Sequence, residues 1–140
     1  MFLLQRSSNL TFKTIGNTSM ISLDNVVKNG GASVDVNGND MVFNCGYCVS
    51  LPGLFFTMPM DGITQDDVDS LYARVCDIIT AGNLAKTHFA GAWIDNGLFY
   101  MGISTRIANR DDAELFGKAG NQIAIFNFKK MEDIVLDYSK

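Results

Sequence analysis

Two alternating apolar runs meet at Asp95-Asn96-Gly97, and few chain paths satisfy that juxtaposition. His88-Phe-Ala-Gly-Ala-Trp-Ile precedes the turn and Leu98-Phe-Tyr-Met-Gly-Ile-Ser-Thr follows it. Asn-Gly supplies the two positive-φ residues that a tight hairpin turn needs, so the stretch predicts an antiparallel pair. Behind it come Arg106 and Arg110, a short helix from Asp111 to Ala119, and a strand Gln122–Phe128. Asn109 is placed to cap that helix, Asp111 and Asp112 fill its first turn, Leu115 and Phe116 are expected to face inward, and Gly120 to stop it. The closing strand is expected to pair with Ile134–Tyr138 across Lys129-Lys130.

Upstream, Ala32–Val36 and Met41–Ser50 flank Asn37-Gly38-Asn39-Asp40 and predict another hairpin. Leu51-Pro52-Gly53 is expected to end its second strand, with Leu54–Met58 extended beyond it. Gln65–Ala81 is the clearest helix. Thr64 can cap it, Asp66 and Asp67 suit its N-terminal dipole, and Gly82 stands where a left-handed cap belongs. Val68, Leu71, Tyr72, Val75, Ile78 and Ile79 repeat as one buried stripe. Leu10–Ile15 alternates like a strand, Ile21–Val27 fits a strand or a helical turn, and Asn29-Gly30-Gly31 breaks the chain. These elements predict one α+β domain over residues 1–140, a mostly antiparallel sheet built from hairpins with two helices.

Composition narrows the function classes. Of 140 residues, 47% are apolar and 19% charged, as in ordinary globular chains. A net charge of −4 opposes non-specific nucleic-acid binding, which rests on clustered Lys and Arg. No apolar run approaches a membrane span, and the first residues lack the pattern of a secretory signal. Three cysteines make an odd count that suits reduced thiols, so a cytoplasmic setting is expected.

Catalytic patterns are weak. Cys45-Gly-Tyr-Cys48 falls within a predicted strand, where residues three apart point to opposite faces, and not at a helix N-terminus that would activate a thiol. A zinc site from Cys45, Cys48, Cys76 and His88 matches no familiar ligand spacing. His88, the lone histidine, has no orienting partner in the sequence. No catalytic residue, cofactor or metal is therefore expected. What remains is an anion-and-base site: Arg106 and Arg110 for a phosphate, with Trp93, Asn96, Phe99 and Tyr100 near the turn to stack and orient a base.

The segments Trp93-Ile-Asp-Asn-Gly97-Leu-Phe-Tyr100-Met-Gly-Ile-Ser104, Asp112-Ala113 and Asn121-Gln122-Ile-Ala124-Ile125-Phe resemble small accessory proteins of phages and prophages. Gly30-Gly31-Ala-Ser33 and Gly46-Tyr47-Cys-Val49-Ser50 fit the same pattern, which spans about residues 30–128. The resemblance extends to the Thoeris anti-defence sponges, oligomers that bind cyclic ADP-ribose-type signals without cleaving them. It implies a non-enzymatic mobile-element protein that sequesters a nucleotide-type signalling ligand. The alternative is an acidic interaction module that inhibits or recruits a host protein. A homo-oligomer is expected from the free sheet edges two hairpins leave.

Overall fold

The computed structural model describes residues 20–139, so the expected strand at Leu10–Ile15 lies outside the described residues. The elements run α1 (Leu23–Asn29), β1 (Gly31–Val34), β2 (Tyr47–Pro59), α2 (Gln65–Ala81), β3 (His88–Asp95), β4 (Leu98–Ile107), α3 (Arg110–Ala119), β5 (Ala124–Asn127) and β6 (Glu132–Val135). The six strands form one antiparallel, curled sheet in the order β1-β3-β4-β2-β5-β6. The α+β class is as the sequence indicates, with a third helix, α1, where a strand or helical turn was expected.

One face of the sheet carries the helices. Ala90, Ala92, Phe99, Met101 and Ile103 point into a core shared with Val68, Leu71, Tyr72, Val75 and Ile79 of α2. The α2 stripe therefore packs as its periodicity predicts. Thr64 and Asp67 complete a reciprocal capping box at its start. A second cluster, Val49, Ala113, Ile125 and Leu136, lies beneath α3.

Four local expectations fail for identifiable reasons. The turn at Asn37-Gly38 forms, with the Asp35 carboxylate accepting from the N–H groups of Asn37 and Asn39, both at 2.9 Å. Its flanks share only the bridge Val34–Asp40, and β1 pairs with β3 instead. Residues 41–46 leave the ladder because Phe43 turns inward against Phe89 and Phe128, at 6.1 and 4.8 Å between ring centroids. Leu51-Pro52-Gly53 does not end β2. It forms a bulge in which Leu51, Pro52, Gly53 and Leu54 stand opposite Ile103 alone, and the strand resumes at Phe55. Gly53 takes φ 69°, and the Gln122 amide clasps the main chain of Ser50 from β5's side at 2.6 and 3.2 Å.

Gly82 and Gly120 are not left-handed, with φ −85° and −87°. The next residues, Asn83 and Asn121, take that conformation at φ 59° and 58°. Leu84 N–H then reaches back to the Ile79 carbonyl and Gln122 N–H to that of Gly117, the closing bond of a Schellman cap. Asparagine tolerates this conformation, so Gly82 and Gly120 do end their helices as caps, and the left-handed residue falls one position after each glycine. Finally, α3 buries Ala113 and Gly117, while Leu115 and Phe116 are exposed. A Cβ on Gly117 would sit 2.9 Å from both Ile125 and Leu136, so the helix seats on its small residues and its bulky ones stay outside.

Candidate functional site

The face of the sheet without helices decides what the chain can present. Along it run Ser33 of β1; Phe89, Gly91 and Trp93 of β3; Tyr100, Gly102, Ser104 and Arg106 of β4; and Cys48, Ser50, Phe55 and Thr57 of β2. Residues 41–46 cross one end of this face. Phe43 covers Phe89 there, and the Arg106 guanidinium holds the crossing segment. Its Nε donates to the Cys45 carbonyl at 2.8 Å, its Nη2 lies 3.2 Å from Cys45 Sγ, and its plane stands over the Phe43 ring. Gly46, at φ 92°, is required here, since a Cβ would fall 2.5 Å from Arg106 Nε.

Small side chains fill the middle. A Cβ on Gly91 would meet Ser104 Oγ at 2.6 Å, and a Cβ on Gly102 would meet Phe55 Cβ at 2.9 Å. Burial pushes the Cys48 thiol up to about 11, tempered by hydrogen bonds with the Ser104 and Ser33 hydroxyls. That thiol is a packing group, protonated near neutrality.

Among the described residues, no segment crosses the other end. Trp93 and Tyr100 are register partners beside the Asn96-Gly97 turn, whose residues take φ 51° and 77°. Their rings stack at 5.2 Å with a 2° interplanar angle. Phe55, 46% exposed, adds a tilted ring 5.9 Å from Tyr100. Leu54, 39% exposed, precedes it in the bulge. Three adjacent strands thus present a row of partly exposed aromatic rings. Single exposed apolar groups need no explanation, but an aligned row of rings does.

The predicted site does not assemble. Trp93, Tyr100 and Asn96 share the hairpin tip, whereas Phe99 is fully buried on the opposite face among the α2 contacts. Parity explains this: Phe99 and Tyr100 are consecutive in a strand and cannot share a face. Arg106 lies on the face of Tyr100 but six residues along β4, about 20 Å away at strand rise. Its hydrogen bonds go to Cys45. Arg110 begins α3 and pairs with Glu114 at 2.7 Å, an interaction that raises its pKa. The two arginines therefore form no common phosphate clamp. Phe55 and Leu54 were missed because Pro52-Gly53 reads as a strand end.

The thiol chemistry also resolves. Cys45 precedes β2 and is exposed, so the expectation that it points from a strand opposite to Cys48 does not hold. Cys76 is buried on α2 on the helix-bearing side, where loss of solvent pushes its thiol up to about 12. His88 Nδ1 is 2.6 Å from Thr87 Oγ1. Among the described residues no three His, Cys, Asp or Glu side chains gather as a metal site, and no helix is long and apolar enough to cross a membrane. Comparison with protein-family models, curated proteins and solved structures found no match to this chain.

Proposed function

We propose that this chain is a non-enzymatic protein-interaction module, of mobile-element type, that engages a host protein through the open aromatic end of its sheet. The observation that carries the reading is the row Trp93, Tyr100 and Phe55, partly exposed across three strands, with the first two rings stacked and the third tilted beside them. Tryptophan and tyrosine dominate the energetics of protein interfaces, because they desolvate large rigid surfaces at low entropic cost. The backbone beneath them is a hydrogen-bonded hairpin with a two-residue turn, so the rings are held before a partner arrives. The mobile-element assignment rests on the resemblance carried by residues 93–104, 112–113 and 121–126, with 30–33 and 46–50.

The test is co-purification of tagged protein with host proteins, comparing Trp93→Ala plus Tyr100→Ala with Leu115→Ala. Leu115 is 70% exposed on α3, away from the row, and serves as the apolar control. A partner lost only with the first variant, at unchanged thermal stability, supports the proposal. A partner lost only with the second refutes it.

One observation favours a second reading, sequestration of a nucleotide-type signal. The flat stack of Trp93 on Tyr100 could be extended by a base. Such a ligand would be held without Arg106 and Arg110, so its phosphates would gain no guanidinium fork. A thermal-shift screen with cyclic nucleotides and ADP-ribose derivatives separates the readings, since ligand at 100 times its dissociation constant stabilises by about 2.7 kcal/mol.

A further inference from the structure

Among the described residues, one ring face of Trp93 is covered and the other is bare. Tyr100 lies parallel on the β4 side. On the β1 side its register partner is Gly31, which has no side chain to lay against the indole. Among the described residues β1 is an edge strand, with no strand paired beyond Gly31. The Ser33 carbonyl accepts from Met41 N–H, a bond made away from β3. By strand alternation, the Gly31 N–H and carbonyl also point outward over the edge.

Two charges matter here. Asp95 follows Trp93 on the same face, two residues and about 7 Å along β3, and is exposed. The whole chain carries −4. Among the described residues no cation stands over Trp93. Elsewhere the fold supplies its own: Arg74 lies 4.1 Å from the Phe56 centroid and Arg106 lies 5.5 Å from that of Phe43. Indole is the strongest cation-binding ring of the three aromatics.

Resting on the interaction-module reading, we infer that the bare face of Trp93 receives an arginine side chain from an extended basic segment of the partner protein. The guanidinium stacks flat on the indole, Asp95 supplies the counter-charge, and the Gly31 main chain pairs with the incoming strand. A lysine satisfies the charge but not the planar stack. A nucleobase satisfies the stack but meets Asp95 with a phosphate of the same sign.

Trp93 is the only tryptophan, so its emission reports on this site alone. The probe is a capped, extended threonine-rich peptide with one central arginine, titrated against the full chain. Its counterparts carry lysine or uncharged citrulline at the same place, and adenosine monophosphate is run alongside. The inference predicts saturable quenching by the arginine peptide, severalfold weaker apparent affinity for citrulline, and severalfold weakening by Asp95→Asn. Equal affinity for arginine and citrulline overturns it. So does saturable quenching by adenosine monophosphate alone, or no response to any peptide. Co-purification of a host protein that still depends on Trp93 and Tyr100, with no peptide response, removes the arginine and leaves the interaction module standing.

Discussion

The two ends of the helix-free sheet face use similar side chains to opposite effect. At the closed end, Phe89 and Phe128 pack against Phe43 of the crossing segment, and Arg106 bonds the Cys45 main chain beside the Phe43 ring. At the open end, Phe55, Trp93 and Tyr100 form an equally aromatic row, and among the described residues no segment is laid across it. The closed end shows how this fold buries rings it needs for stability: it supplies a cover and a cation from its own chain. Among the described residues the open end has neither. The difference makes the first end architecture; on the proposed reading, the second is the surface that meets a partner.

Stability measurements can break that comparison. Phe89→Ala removes a buried ring from under Phe43 and should cost about 3–5 kcal/mol in chemical denaturation. Trp93→Ala, which removes a half-buried ring, should cost clearly less. Equal losses would erase the distinction between the ends. Gly91→Ala places a methyl group against Ser104 Oγ between them and should cost about 1–3 kcal/mol. Arg106→Met keeps an unbranched apolar stem but loses the guanidinium and its bond to the Cys45 carbonyl. It should cost about 1 kcal/mol and speed hydrogen exchange at residues 41–46, leaving residues 93–100 unchanged.

A pH effect follows from the Cys48 and Cys76 thiols. Cys48 and Cys76 ionise near 11 and 12 in the folded chain against an ordinary 9.0. Above pH 9 the unfolded chain releases these protons first. The stability contribution is complete below pH 9 and declines as pH rises toward 11–12, which denaturation at stepped pH would show. At neutral pH, iodoacetamide should label Cys45 in the native protein and all three thiols after unfolding. The smallest effect is expected at Arg110, whose exposed pairing with Glu114 is local to α3. Arg110→Ala should leave the melting temperature unchanged and the open end intact.

Local chemistry made much of the fold legible. The Asn96-Gly97 turn, the Thr64 and Asn109 caps and the α2 stripe each depend on residues a few positions apart. What escaped the sequence depends on distant partners. Nothing between residues 32 and 50 announces that β3 and β4 will lie between β1 and β2, because the reason is Phe43 meeting Phe89 and Phe128. The bulge at Pro52-Gly53 reads as an end because its clasp, Gln122, lies seventy-two residues away. The site was half legible for the same reason. Trp93 and Tyr100 face each other across a predicted turn, so their stack follows from the hairpin. Arg106 looked free because its acceptor, the Cys45 carbonyl, lies in another part of the chain.

The most direct test of the open aromatic end is collisional quenching of Trp93 emission by acrylamide, in the free chain and in its complex with a co-purified partner. Ready quenching in the free chain and marked shielding in the complex is the predicted result. Equal quenching in both states would place the partner elsewhere and contradict the assignment of this surface.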